Sequence, residues 1–148
     1  MFDYVSRIAE LSLQRFCCSQ IEITLALELK DCTNPEIKRE LVKAMNGLCG
    51  GIGGSGKDCG SLTGAACAIG LLCGRGEPGE IAHEKLREMV SELVTWFENE
   101  YGSIECMTIL GGKPAGQVEK RKVICPGIIQ ATFENAVRIM LEYGIEIY

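Results

Sequence analysis

The chain has 148 residues, of which 47% are hydrophobic and 24% charged, and its formal net charge is −5. This length and balance fit one folded domain, residues 1–148, and exclude a disordered chain. The acidic charge argues against nucleic acid as a partner, and the one basic run, residues 120–122, is interpreted as a solvent-exposed loop.

Hydrophobic residues recur at helical spacing, which predicts an all-α fold: a single-domain bundle of five to six helices. The first predicted helix covers residues 3–30 and is apolar on two opposite sides. That pattern is typical of a helix at the centre of a bundle or at a homodimer contact. Asn34 and Pro35 begin the second predicted helix as its cap and first residue, and Gly50 and Gly51 end it.

The third predicted helix, residues 58–73, carries small side chains at every fourth position, Gly60, Gly64 and Ala68. Because residues four apart share one face of a helix, these positions allow a neighbouring helix to approach closely. The fourth predicted helix covers residues 78–101.

A short helix is predicted after Ser103, and the last helix is predicted to begin at Pro126. The last helix is expected to bury Ile129, Phe133, Val137 and Met140.

Two glycine-rich motif matches overlap between the second and third predicted helices. Residues 51–57 fit the GxxxxGK part of a phosphate-binding loop, and GxGxxG occurs within the same stretch. The next residue is Asp58, where such a loop needs Ser or Thr, and a helix precedes the stretch instead of a strand. We therefore interpret these glycines as a tight turn, or as a close backbone approach to a bound group.

The cysteines are the most informative feature of the sequence. There are nine: Cys17, Cys18, Cys32, Cys49, Cys59, Cys67, Cys73, Cys106 and Cys125. No secretory signal and no run of about 18 apolar residues is visible, so we expect a cytoplasmic protein without a membrane segment. An odd number of cysteines in a reducing compartment indicates a metal, a cluster or redox chemistry more than a disulfide scaffold. No CxxC motif occurs, so any site must combine distant parts of the chain.

Three cysteines lie at predicted helix starts, where unpaired N–H groups favour thiolates. Cys59 is in the first turn of the third helix, Cys106 follows Ser103 closely, and Cys125 directly precedes Pro126.

The other cysteines and the one histidine are given simpler interpretations. Cys67 and Cys73 are expected to pack inside an apolar helix, and Cys32 is expected in an exposed turn. His83 is interpreted as a surface or boundary residue, which argues against a Cys–His nucleophile pair.

The chain resembles the C-GCAxxG-C-C family of redox-active proteins, which occur mainly in anaerobes. The likeness is carried, in order, by residues 18–20, 50–53, 59–65, 101–106 and Cys125. Three features depart from the family pattern. Cys49 stands where the family usually has glycine, residues 59–61 read Cys-Gly-Ser where the name implies Gly-Cys-Ala, and Cys17 is one of four extra cysteines. Which of Cys17 and Cys18 belongs to the site stays open.

The resemblance implies a binding and electron-transfer module. Its four cysteines would be Cys18, Cys59, Cys106 and Cys125, which would ligate an iron–sulfur cluster, taken as [2Fe–2S], or alternatively zinc. The cofactor-binding glycines would be Gly51, Gly53 and Gly60, and the electrons would pass to an unidentified redox partner protein. Two alternatives remain: a thiol–disulfide oxidoreductase or redox sensor using Cys59 and Cys106, and a structural or interaction domain with inert cysteines.

Overall fold

The structure of the protein, a computed structural model, describes residues 3–147, and these contain seven α-helices and no β-strand. The helices are α1 Tyr4–Leu13, α2 Cys18–Leu29, α3 Pro35–Ala44, α4 Gly60–Cys73, α5 Leu86–Tyr101, α6 Cys106–Leu110 and α7 Val118–Glu142. Short 3-10 helices cover Met45–Leu48 and Pro114–Gly116. The all-α class is therefore confirmed, with seven α-helices instead of five to six. Within residues 3–147, no helix combines the length and the apolar character needed to cross a membrane.

The first predicted helix is two helices, so its prediction as one element was wrong. The chain leaves α1 through Arg15, whose φ of 68° is left-handed, and Cys17 then caps α2. The Cys17 N–H donates to the side-chain oxygen of Gln20 at 3.2 Å. This bond satisfies a backbone donor at the start of α2, which explains why a new helix begins here.

Helices α2 and α4 form the centre of the bundle. α2 packs against α3, α4 and α7, and it buries Ile21, Leu25 and Leu27 within the chain. A Cβ atom on Gly64 would lie 2.8 Å from Glu22 Cβ, so the two helices approach as closely as the small residues predicted. Burial within one chain accounts for the two-sided apolar pattern, and the homodimer stays a prediction.

The fourth predicted helix begins eight residues later than expected, at Leu86. His83 comes just before the turn that leads into α5: its N–H donates to the Cys73 carbonyl at 2.8 Å, and its Nδ1 accepts from the Lys85 N–H at 3.1 Å. The interpretation of His83 as a boundary residue is thus confirmed.

The last helix begins at Val118, not at Pro126 as predicted, and Pro126 lies inside it. Pro126 has no N–H to give to the Lys122 carbonyl, but the buried face beyond it holds the helix together. Two site predictions change as a result. Cys125 is inside α7 instead of at its cap, and residues 120–122 are helical instead of a loop. The predicted buried residues of this helix are confirmed: Ile129, Phe133, Val137 and Met140.

Candidate functional site

A single cavity of about 670 Å³ is lined by all four cysteines that were predicted as ligands, Cys18, Cys59, Cys106 and Cys125. They come from four elements: the start of α2, the cap of α4, the start of α6 and the middle of α7. We call this space the four-cysteine cavity. Much of the remaining wall is apolar: Leu13, Phe16, Ile21, Leu110, Val118, Ile128 and Ile129.

Backbone N–H groups stand next to two of the four sulfurs. The amides of Ser19 and Gly50 lie against the Cys18 sulfur, and those of Ser61 and Leu62 lie against the Cys59 sulfur. Each amide favours the thiolate over the thiol, because a thiolate accepts a stronger hydrogen bond. Ser19 belongs to the first turn of α2, Ser61 and Leu62 belong to the first turn of α4, and Gly50 lies in the loop before α4.

Burial nevertheless raises the pKa of all four cavity thiols. The pKa of Cys18 rises to about 12, first because of desolvation and then because of repulsion from Cys59 and Cys125. Desolvation likewise raises the pKa of Cys125 to about 11, with further contributions from Cys59 and Cys106. Desolvation is also the largest cause of the raised pKa values of Cys59 and Cys106. The four side chains are therefore protonated at neutral pH unless a cation compensates their charge.

Arg121 is a cavity residue that the sequence did not reveal. Its positive charge lowers the pKa of Cys106 and of Cys125, opposing the effect of burial. Arg121 and Cys125 are four residues apart on α7, so they share one face of the helix. If the sequence prediction had begun the last helix at Val118, this spacing would have indicated that Arg121 lies near Cys125.

The three predicted glycines have different surroundings. Gly60 lines the four-cysteine cavity, and a Cβ atom there would overlap the Cys18 sulfur. A Cβ atom on Gly51 would lie 2.9 Å from Cys106 Cβ and 2.6 Å from the backbone of Lys57. A Cβ atom on Gly53 would have no neighbour within 4 Å. Glycine is favoured at this position because the backbone φ is 62°, in the left-handed region. Gly60 and Gly51 therefore permit the close packing around the cysteines, and contact of any of the three glycines with a cofactor stays a prediction.

The glycine loop, residues 50–57, positions α6 and with it Cys106. Five consecutive residues, 50–54, have left-handed φ angles between 62° and 74°. The loop carbonyls of Lys57 and Gly56 accept from the N–H groups of Cys106 at 2.7 Å and Met107 at 2.9 Å. Six loop amides donate to backbone carbonyls, so they are occupied by internal hydrogen bonds instead of facing outwards for a phosphate: those of Ile52, Gly53, Gly54, Ser55, Gly56 and Lys57.

Cys17 and Cys49 form a disulfide beside the cavity, with Cα atoms 5.8 Å apart. The sequence did not predict this pair, because 31 residues without a recognisable motif separate its members. At the start of α2, Cys17 is disulfide-bonded and Cys18 is a free thiol. The choice of Cys18 as the site residue of this pair stays a prediction. The redox candidates Cys59 and Cys106 are both free thiols.

The remaining cysteines lie outside the four-cysteine cavity. Cys73 is buried as predicted, whereas the packing predicted for Cys67 was wrong because its side chain is exposed. Cys32 is half-buried, against the Ile23 and Leu27 side of α2, and so is less exposed than expected. In the part of the chain that the structure describes, no group of three or more His, Cys, Asp or Glu residues forms a ready site for a metal ion.

Replacing Gly60 with alanine is expected to destabilise the protein by about 1–3 kcal/mol, because the new methyl group must displace the Cys18 sulfur. Urea unfolding of the variant measures this loss. Gly70→Ala is the matched control on the same helix: a Cβ atom there has no neighbour within 4 Å. That control should gain up to about 1 kcal/mol from helix propensity. Equal unfolding midpoints for the two variants would contradict the packing described for Gly60.

The chain was compared with known protein families, curated proteins and solved structures. A family model described as "Putative redox-active protein (C_GCAxxG_C_C)" matches residues 16–139. The matched range includes all four cavity cysteines, the disulfide and the glycine loop. No curated protein and no solved structure gives a significant match.

Proposed function

The chain belongs to the C_GCAxxG_C_C family of redox-active proteins, and from this we propose that it is an electron-transfer protein with an iron–sulfur cluster in the four-cysteine cavity. The proposed ligands are Cys18, Cys59, Cys106 and Cys125. One observation carries the proposal: cysteines from four separate elements line the same cavity. Four cysteine thiolates are the usual ligand set of [2Fe–2S] and [4Fe–4S] clusters, and we propose [2Fe–2S].

The chemistry of the cavity fits thiolate ligands better than reactive thiols. Burial raises the pKa values of all four thiols, repulsion from neighbouring cysteines adds to this rise at Cys18, Cys59 and Cys125, and nearby iron would oppose both effects. The amides at Cys18 and Cys59 would remain as hydrogen-bond donors to the ligand sulfurs, which is one way a protein sets a cluster's potential. When bound, the cluster would supply reversible one-electron transfer.

A cluster also suits the cavity better than a single zinc ion. Zn–S bonds of about 2.3 Å in a tetrahedral site would bring four sulfurs to within roughly 3.8 Å of one another. Among residues 3–147, no group of three or more His, Cys, Asp or Glu residues is arranged to hold a single metal ion. Several iron and sulfide atoms span a wider space, and the cavity of about 670 Å³ offers it.

The rim of the cavity supports docking of an acidic redox partner. Arg121 and Lys122 line it on α7, although the whole chain has a net charge of −5. Beside them are Leu13 and Val118, whose exposed fractions are 86% and 47%. A local positive patch with apolar side chains steers and holds a partner that carries carboxylates around an apolar centre.

Protein purified without oxygen tests the proposal directly. We expect visible absorbance that fades on reduction with dithionite, and two iron and two acid-labile sulfide atoms per chain, as a [2Fe–2S] cluster requires. Four of each would indicate [4Fe–4S] and correct the cluster type. Colourless protein with one zinc would contradict electron transfer, and colourless, metal-free protein with a Cys59–Cys106 disulfide after oxidation would indicate an oxidoreductase.

A further inference from the structure

The Cys17–Cys49 disulfide joins two segments that both touch the four-cysteine cavity. Cys17 caps α2, and Cys49 follows the 3-10 helix that ends at Leu48. Their Cα separation of 5.8 Å lies in the usual range for a disulfide. Both residues are only partly buried. Neither is one of the four proposed ligands.

The residues around the pair also offer hydrogen-bond acceptors to its reduced form, in which both cysteines are thiols. The Ser19 hydroxyl donates to the Met45 carbonyl at 2.8 Å, so its lone pairs are left for the Cys17 sulfur 3.3 Å away. The Asn46 side-chain oxygen lies 3.4 Å from the Cys49 sulfur. A disulfide sulfur has no proton to donate, whereas each thiol has one. Each of the two thiol protons therefore has an acceptor that a permanent cross-link would not use.

Two short covalent links connect the pair to the cavity. Cys17 is bonded through one peptide to Cys18. Cys49 is bonded through one peptide to Gly50, whose amide lies against the Cys18 sulfur. Cys17 and Gly50 also line the cavity wall. Formation or cleavage of the disulfide therefore affects both the backbone of Cys18 and the Gly50 amide next to its sulfur.

We propose that Cys17 and Cys49 form a second redox centre, a two-electron dithiol–disulfide couple. An external protein dithiol reduces the pair, and the redox state of the pair controls the position of the Gly50 amide next to the Cys18 sulfur. A thiolate of the reductant attacks the Cys49 sulfur, and the S–S bond breaks to release Cys17 as a thiolate. The second thiolate of the reductant then attacks the mixed disulfide and releases Cys49. Both cysteines take protons from water, and the reductant becomes a disulfide, which balances two electrons and two protons.

The couple is tested on the full-length protein, without oxygen, by alkylation and mass spectrometry. Reduced thioredoxin, recycled by its reductase and NADPH, is expected to make Cys17 and Cys49 reactive together, and oxidised glutathione to restore their disulfide. A pair that resists reduced thioredoxin in the folded protein would be a structural cross-link. A pair that stays reactive in oxidised glutathione would be two unrelated thiols. Either result overturns the proposal.

Two variants act as controls for this titration. Cys49→Ser should leave Cys17 reactive under all conditions, whereas Cys32→Ser should leave the conversion of the pair unchanged. Persistence of the Cys17 disulfide signal in Cys49→Ser protein would mean that Cys17 has another partner, against the proposal.

The link to Cys18 is measured separately from any cluster. In ¹⁵N-labelled Cys59→Ser protein, the Gly50 amide resonance should shift in step with reduction of the pair, and that of Gly79 should not. An unchanged Gly50 resonance would overturn the proposed control of Cys18. Because this protein lacks one proposed cluster ligand, the redox couple can be confirmed even if the cluster proposal fails.

Discussion

Replacing Cys59 with serine is expected to lower the iron and acid-labile sulfide content at least tenfold in protein purified without oxygen. Cys59 interacts electrostatically with all three other cavity cysteines, since its charge affects the pKa values of Cys18 and Cys125 and its own pKa is affected by Cys106. A serine hydroxyl stays protonated where a thiolate ligand is needed. Serine also suits the cap of α4, so the helix should still form.

The matched control is Cys67→Ser on the same helix, because the Cys67 side chain is exposed and lies outside the cavity. We expect this variant to keep its iron, its sulfide and its unfolding midpoint. Circular dichroism of both variants establishes that the helices are intact. If the two variants lose iron equally, or if both keep it, the assignment of Cys59 as a ligand is wrong.

Replacing Glu22 with glutamine is expected to remove a large part of the pH dependence of stability. Glu22 is fully buried in α2, and within residues 3–147 neither carboxyl oxygen has a hydrogen-bond partner. Burial raises the pKa of Glu22 well above its ordinary value, because the carboxylate would lose its hydration. The folded protein therefore keeps a proton that the unfolded chain releases above about pH 4.3.

The sign of the effect follows from this difference in proton binding. The wild-type protein is most stable, with respect to Glu22, below about pH 4, and it loses up to about 1.4 kcal/mol per pH unit as the pH rises towards the folded-state pKa. Glutamine has the shape of the protonated acid and cannot ionise, so the variant avoids this loss. Urea unfolding between pH 4 and 8 should show similar midpoints at the acid end and a more stable variant at pH 8. Parallel pH profiles would mean that Glu22 is ionised in the folded protein.

Local signals in the sequence predicted the elements better than their ends. The Asn34–Pro35 start of α3 was correct because capping and proline at the first turn are local effects: the Asn34 side chain accepts from two backbone amides, those of Glu36 and Ile37. Pro126 carries the same local signal but lies inside α7. There the burial of the following turns outweighs the hydrogen bond that proline removes, and burial depends on the neighbouring helices.

The four cavity cysteines could be named from their order along the chain, but not from their local helix positions. Cys125 was expected at a helix cap and lies mid-helix, yet it still reaches the cavity with Cys59. The family pattern carried that information, because it records which cysteines recur and not where each helix begins. Arg121 and the Cys49 partner of Cys17 had no such pattern, so they became visible only through their positions in space.

The sequence by itself determined the all-α class, the small-residue contact along α4 and the cysteine-based chemistry of the family. These follow from periodicity, side-chain size and residue type, which are properties of a few neighbouring positions. The tertiary structure alone decided the convergence of four cysteines, the Cys17–Cys49 pair and the burial of Glu22. Each of these depends on how α2 packs against α4, α7 and the glycine loop, and such contacts between distant segments are set by the packing of the whole core.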